Sequence, residues 1–353
     1  MLTTERARGP KARGGGWYRA DLMARVFSGI KPSGEVQIGN YIGALRHWAS
    51  GQDSYEGYFC LVDMHAITVP QDATEVRRWT LELAGILLAV GIDPHRSTLF
   101  VQSHVHEHAE LAWVLNCFSN FGELRRMTQF KEKSQAQAEG SVTVGFFDYP
   151  VLQAADILLY RTDLVPVGED QRQHVELTRD IAGRFNARFG ETFVMPEAVV
   201  PPVGARIMDL QNPSAKMSKS AESPHGTLTI LDSPDEIRRK IRTAVTDSGR
   251  DVVAAPDKPA ITNLLTILSV VTDREVPALE EAYRGKGYAD LKTDLAEAVV
   301  EFLRPVQERY RDIAADPAEL ERILEMGAQK AQKEASEMLD LVYERVGFVP
   351  RRH

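Results

Sequence analysis

Short apolar, β-prone runs alternate with stretches of helical periodicity along the first half of the chain. That alternation restricts the fold more than any other feature of the sequence. Residues 25–29, 57–62, 97–101 and 164–167 read as strands, and residues 40–50, 72–90, 107–118 and 170–189 between and after them read as helices. In the second helix Val76, Trp79, Leu83, Ile86, Leu87 and Val90 fall on one face, the spacing of a core-facing helix. Strands separated by helices pair in parallel through βαβ units, so the pattern predicts an α/β chain built on a parallel sheet.

Beyond residue 220 the strand pattern stops. Residues 234–310 read as helix, with loops near 249–259 and 284–288, and residues 317–345 carry Leu320, Ile323, Leu324, Ala328 and Ala331 on one face. The break at 220–234 is the best candidate domain boundary. Residues 1–24, with Arg6, Arg8, Lys11, Arg13 and Gly14-Gly15-Gly16, offer little to bury and read as a disordered leader; a basic arm touching RNA is the alternative. Trp17 and Tyr18 could anchor its end.

A length of 353 residues is ample for a sizeable core. No apolar run suggests a membrane span or a secretory signal, which points to the cytoplasm. Cys60 and Cys117 sit in apolar segments and outside any CxxC pair, so both are expected to be small buried hydrophobes rather than zinc ligands. A net charge of −8 argues against a general nucleic-acid coat and leaves room for a specific RNA partner held by local basic patches.

Two segments carry chemistry. The run from Ser28 to Gly43 leaves a strand and opens a helix, with Lys31-Pro32-Ser33 and Gly39-Asn40 in it. Ligands bind α/β proteins at this sheet edge, and a helix N-terminus favours phosphate. A turn of this kind is as often only a turn. Lys216-Met217-Ser218-Lys219-Ser220, between Pro213 and Pro224, is a polar loop whose ammonium groups suit a triphosphate and the charge that grows as pyrophosphate leaves. Read by itself it is a solvated loop.

Together the two segments resemble the signatures of class I aminoacyl-tRNA synthetases, His-Ile-Gly-His and Lys-Met-Ser-Lys-Ser. Here Gln37-Ile38-Gly39-Asn40 stands in the first position, so both histidines differ. Within the class the chain resembles the bacterial tryptophanyl-tRNA synthetases over residues 26–347. The resemblance rests on Gly39 to Leu45, Asp63 to Thr68, Met127 to Ser134, Ala154 to Leu158 and Val165 to Gln171. It implies a Rossmann-like doubly wound parallel sheet with a helical C-terminal domain. It also implies a ligase that adenylates L-tryptophan with ATP and Mg²⁺ and charges tRNA(Trp), as a homodimer.

Residue roles follow from the same resemblance. Lys31, Pro32, Ser33, Gly39 and Asn40 would hold ATP, with Gly168, Glu169, Asp170 and Ile207 on adenosine. The loop Lys216, Met217, Ser218, Lys219 and Ser220 would close over ATP, and Lys133, Lys216 and Lys219 would act on its phosphates. Asp156 would accept the indole N–H, ringed by Phe27, Val62, His65, Val165 and Val167, while Tyr149 and Gln171 would hold the ammonium. An indole N–H is donor-only, so a carboxylate in an apolar slot is its best partner; left unpaired, that carboxylate would penalise phenylalanine. His65 reads equally well as a satisfied core histidine.

Two positions depart from the family. Lys31 stands where glutamine is usual, and adds a point charge beside the phosphates. Gln153 stands where methionine is usual, three residues before Asp156 and so on the same helix face. With Tyr149 it gives a Tyr-x-x-x-Gln-x-x-Asp pattern similar to tyrosyl-tRNA synthetases. A polar Gln153 could also admit a ring-substituted indole. Arg238, Arg239, Lys240 and Arg242 form a basic stretch suited to RNA phosphates in the region that reads the anticodon in this family, or a solvated helix face.

The expected division is a basic extension at 1–24, a catalytic domain at 25–220 with a helical insertion near 105–160, an anticodon-binding domain at 221–310, and a C-terminal helix at 311–353 packing back on the catalytic domain. The rival readings are a small-molecule nucleotidyltransferase and a non-charging paralogue that binds tryptophan and, through its tail, a protein partner.

Overall fold

A computed structural model describes residues 23–131, 142–200, 206–217 and 224–350. Five strands, β1 Ala24–Ile30, β2 Tyr55–Leu61, β3 Thr98–Val101, β4 Leu164–Pro166 and β5 Glu197–Val199, form one sheet in the order β3-β2-β1-β4-β5. Every pairing is parallel. The parallel α/β sheet is what the alternation implied, and the fold is the Rossmann-like one that the resemblance implied. Successive strand residues point to opposite faces, and both faces are covered. Val26, Phe59, Leu61, Leu99 and Val101 enter one hydrophobic cluster; Phe27, Tyr58, Cys60 and Phe100 enter the other.

The helices are α1 Ile38–Asn40, α2 Arg46–Gly51, α3 Asp63–Ala66, α4 Ala73–Ala89, α5 Glu107–Asn116, α6 Phe121–Arg126, α7 Val144–Leu158 and α8 Arg172–Phe189. After the last strand come α9 Pro234–Arg242, α10 Pro259–Thr272, α11 Val276–Ala282, α12 Tyr288–Ala314 and α13 Pro317–Val346. Proline stands in the first turn of α9, α10 and α13, where its missing N–H is not needed. Ser233 and Glu236 close a capping box on α9. Among the described residues no helix is long and apolar enough to cross a membrane.

The helix expected over 40–50 is present as one helical run over 38–51, with a π-helical turn at Tyr41–Leu45 between α1 and α2. Two expectations need correction. Cys60 is buried in β2, but Cys117 lies exposed just past α5, because the apolar stripe of that helix faces the other way. The basic stretch on α9 is half committed. Lys240 is buried with its ammonium 2.7 Å from both oxygens of Asp232, and Arg238 forms a two-pronged pair with Glu297 at 2.7 and 2.9 Å. Only Arg239 and Arg242 of the four stay exposed without an assigned carboxylate. The leader, with Arg6, Arg8, Lys11, Arg13, Trp17 and Tyr18, lies outside the described residues.

Helix α13 seals the edge of the sheet. Leu320 and Leu324 join the cluster on one face, and Ala331, Ala335, Met338 and Val342 join the cluster on the other. The crossing point is Gly327, set against the backbone of Leu99 in the edge strand β3. A β-carbon there would overlap the Leu99 carbonyl oxygen. An unpaired strand edge is a site for unwanted pairing, and a helix laid across it removes that exposure.

Gly327→Ala should therefore destabilise the protein. Alanine gains about 1 kcal/mol of helix propensity over glycine, but overpacking costs about 1–3 kcal/mol and the backbone here cannot move alone. Thermal unfolding should show a lower midpoint for Gly327→Ala and no loss for Gly145→Ala, where a β-carbon meets nothing within 4 Å.

Candidate functional site

The strand order reverses direction between β1 and β4, and the crevice past their carboxyl ends is where such sheets bind ligands. Two cavities open there. The first, ≈ 390 Å³, is lined by Phe27, Val62, His65, Tyr149, Gln153, Asp156, Val165, Val167 and Gln171, and by Lys31 and Gly168 at its mouth. Every residue that the resemblance assigned to the amino acid thus meets in one space. The second, ≈ 340 Å³, is lined by Gly39, Asn40, Gly168, Asp170 and Lys216, with Gly43, His47, Trp48 and Tyr55. Pro166, Val167 and Gly168, at the end of β4, line both.

The turn from β1 into α1 reaches Gly34, whose φ of 76° suits glycine. Asn40 turns its Oδ1 back to accept the Gln37 N–H at 3.3 Å, so one orphan donor of the helix start is already satisfied. Other assigned residues stand elsewhere. Pro32 is buried, Ser33 donates its N–H to the Lys31 carbonyl, and Glu169 pairs with Arg172 on the surface. Ile207 packs behind Gly39, and the Met217 side chain is buried in the core rather than facing the cavity. Lys133, Ser218, Lys219 and Ser220 lie outside the described residues.

The floor of the first cavity is Asp156, fully buried on α7. Its Oδ1 accepts from Gln102 Nε2 at 2.7 Å and from His108 Nδ1 at 2.6 Å; its Oδ2 accepts from His65 Nε2 at 2.8 Å. Burial alone would raise the carboxyl, but the bonds from His108 and His65 and the attraction of their rings outweigh it and hold Asp156 well below the usual carboxylate range. Because a carboxylate only accepts, His108 Nδ1 carries the hydrogen in this bond. His108 Nε2 lies 2.7 Å from the Tyr160 hydroxyl and hydrogen-bonds it. Tyr160 in turn stacks on Tyr58 and Phe27, with ring centroids 4.8 and 5.7 Å apart.

This network corrects one expectation and decides another. Asp156 is not left unpaired when no indole is present, since three side chains already serve it. An ionised carboxylate offers about four acceptor positions, so the remaining one, on Oδ2, is what an indole N–H would take. His65 is both things it could have been: a satisfied histidine and a wall of the cavity. Tyr149 is held the same way, its hydroxyl 2.8 Å from His174 Nε2 and 3.1 Å from Gln129 Oε1. Burial, helped by the charge of Asp170, pushes its phenol up to about 12, so it stays protonated as a donor at neutral pH.

The reading of the sequence missed Gln102, His108, Tyr160, Gln129 and His174. Gln102 follows the end of a buried strand, where ligand-facing polar groups concentrate. His108 and His174 are buried polar residues on largely apolar helix faces. Those were the available signals.

The family described as tRNA synthetases class I (W and Y) matches residues 21–304. The chain belongs to that family. Among curated members of the class I synthetases, a tryptophan–tRNA ligase 2 of Streptomyces avermitilis is 54% identical over 93% of this chain and 98% of its own length. A tryptophan–tRNA ligase of Caldanaerobacter subterraneus is 54% identical over 93% of this chain and 100% of its own. The solved tryptophanyl-tRNA synthetase of Campylobacter jejuni, complexed with ADP and tryptophan, superposes with a TM-score of 0.81 at 36% identity, over 92% of this chain and 100% of that one. The class I synthetase fold thus comes with a carboxylate-floored slot beside a second cavity that a lysine overlooks.

His108→Ala would remove one donor from Asp156 and the partner of the buried Tyr160 hydroxyl. A lost bond of this kind costs about 1–3 kcal/mol. The folded-state pKa of Asp156 is depressed, so its contribution to stability is present above the unfolded pKa and lost as pH falls through the folded one. Removing a donor raises the folded pKa. The acid-unfolding midpoint followed by circular dichroism should therefore move to higher pH in His108→Ala.

Proposed function

We propose that the chain activates L-tryptophan with ATP and transfers it to tRNA(Trp). The observation that carries this is the fit of the first cavity to an indole: apolar walls, and a buried ionised floor with one acceptor position still open. The second cavity suits the nucleotide. Trp48 and Tyr55 supply planar walls for a purine, Gly39 and Gly43 leave room beside it, and Lys216 stands at its lip.

In the first step an oxygen of the tryptophan carboxylate attacks the α-phosphorus of ATP in line. The bond to the bridging oxygen breaks and pyrophosphate leaves with that electron pair. In the second, a hydroxyl of the terminal ribose of tRNA attacks the adenylate carbonyl and AMP leaves. Both steps rest on positioning and charge stabilisation. Tyr149 and Gln171 hold the ammonium, Gly168 and Asp170 meet the adenosine, and Lys31 and Lys216 meet the phosphates. Lys133 and Lys219 belong to the same phosphate group in this reading. Among the described residues no three or more His, Cys, Asp or Glu gather to hold a metal, so Mg²⁺ would travel on the phosphate oxygens and neutralise their charge.

The partners follow. In the proposed division, residues 221–310 read the anticodon, and on α9 the free cations for phosphate are Arg239 and Arg242. A homodimer would cover Trp113, Phe121 and Val144, which stand exposed on α5, α6 and α7. The enzyme would work in the cytoplasm, and any partner of the tail at 1–24 would be additional. Gln153 lines the amino-acid cavity beside Asp156, which favours tolerance of a polar ring substituent and keeps tyrosine as the competing substrate.

Pyrophosphate exchange separates these readings. Tryptophan should drive exchange and tRNA(Trp) should be charged; exchange driven by tyrosine, or exchange without charging, would contradict the proposal. Gln153→Met should lower the ratio of kcat/KM for 5-hydroxytryptophan over tryptophan by up to about tenfold, the size of one hydrogen bond. An unchanged ratio would remove the role given to Gln153.

A further inference from the structure

The hairpin that presents Lys216 is stitched to the C-terminal helices, and one side chain makes the central stitch. Residues 206–217 double back on themselves: Met217 N donates to Ile207 O at 3.1 Å, Asp209 N donates to Ala215 O at 2.9 Å, and Met208 pairs across with Lys216. The outer edge of Met208 is taken by Asn263 of α10. Its Nδ2 donates to Met208 O at 2.9 Å and its Oδ1 accepts from Met208 N at 2.9 Å. The amide thus imitates one rung of a β-ladder, on the residue directly opposite Lys216. Asn263 is 4% exposed, so its alternative to these bonds is an unsatisfied buried amide.

Two further bonds tie the hairpin to the region of α9. Val245 N, just past α9, donates to Leu210 O at 2.9 Å, and Gln211 Nε2 donates to Thr243 O at 3.0 Å. Toward the nucleotide cavity the hairpin packs Ile207 behind Gly39, and Leu210 N donates to Gly226 O at 2.9 Å, at the start of the segment whose Leu228 O accepts from Ile38 N. At the position opposite Lys216 itself, the side-chain bonds come from Asn263 of α10.

We infer that Asn263 is a positioning residue for adenylation: it fixes Met208, and through the Ile207 and Asp209 bonds that flank the Met208–Lys216 pair sets where the Lys216 ammonium meets the ATP phosphates. The helices that hold Asn263 are those proposed to read the anticodon, so a shift of that helical body would reach the second cavity through this amide together with the Val245 and Gln211 bonds. The inference rests on the reading of Lys216 as a phosphate contact.

A double-mutant cycle on the full chain tests it, with Asn263→Ala, Lys216→Ala and both together, read as kcat and KM for ATP and for tryptophan in pyrophosphate exchange. Tryptophan binding without ATP, by calorimetry, and thermal midpoints accompany it. Asn263→Ala should lower kcat roughly 10- to 100-fold, the scale set by an ångström-sized misplacement. Tryptophan affinity should stay within about twofold, and the same substitution should cost less than about twofold in the Lys216→Ala background. Asn263→Ser, whose single short hydroxyl cannot serve both Met208 groups, should fall between wild type and alanine; it replaces alanine in the cycle if alanine does not fold. Equal fold-losses in both backgrounds, or loss of tryptophan binding in parallel with kcat, would overturn the proposal and leave Asn263 a packing residue. A Lys216→Ala enzyme with unchanged exchange would instead refute the reading of Lys216, and the inference with it.

Discussion

Asp156 puts a negative charge at the bottom of a cavity with only 1% of its surface exposed. Moving a carboxylate out of water costs several kcal/mol even after the protein relaxes, and only well-placed donors offset that cost. Here the donors come from three places: His65 on α3, Gln102 in the turn after β3, and His108 on α5. Each must arrive within a few tenths of an ångström for the network to close. The slot is therefore not laid on a finished core. It is a condition that the packing of α3, β3, α5 and α7 has to satisfy together, and the stack of Tyr160 on Tyr58 and Phe27 carries the same constraint into the sheet.

The two cavities are built on opposite principles. The amino-acid slot has a floor held by three side-chain hydrogen bonds, with one acceptor position left open, which suits selection between similar side chains. The nucleotide cavity has a wall from the sheet and a lip from a hairpin that belongs mechanically to other helices. A site that must admit ATP, hold pyrophosphate as it separates and then release it needs a movable side. Pro166, Val167 and Gly168 line both cavities, so in the proposed reaction one wall would position both ligands.

The strands were legible because a parallel sheet covered on both faces demands continuous apolar runs, and runs such as Tyr58-Phe59-Cys60-Leu61 have few other uses. The later helices were legible because Pro234, Pro259 and Pro317 mark their starts. The members of the amino-acid slot came from family resemblance; spacing alone placed only Gln153 beside Asp156. What stayed hidden was pairing at a distance. Gln102 and His108 lie 54 and 48 residues from Asp156, and nothing local in the sequence shows that they meet it. Lys240 looked like a free cation because its partner Asp232 lies before the helix start, off the i, i+4 pattern. The π turn at Tyr41–Leu45 leaves no mark in residue type.

The central claim is that Asp156 reads an indole N–H with the one acceptor position its own network leaves open. Calorimetric titration of the protein with tryptophan and with 3-benzothienylalanine, which replaces the N–H by sulfur in nearly the same shape, tests that claim directly. Since His65, Gln102 and His108 continue to serve the carboxylate, the sulfur analogue forfeits one charge-assisted hydrogen bond without orphaning Asp156. Its affinity should be lower by about 1.5–3 kcal/mol, about ten- to a hundredfold. Equal affinities for the two ligands would contradict the account.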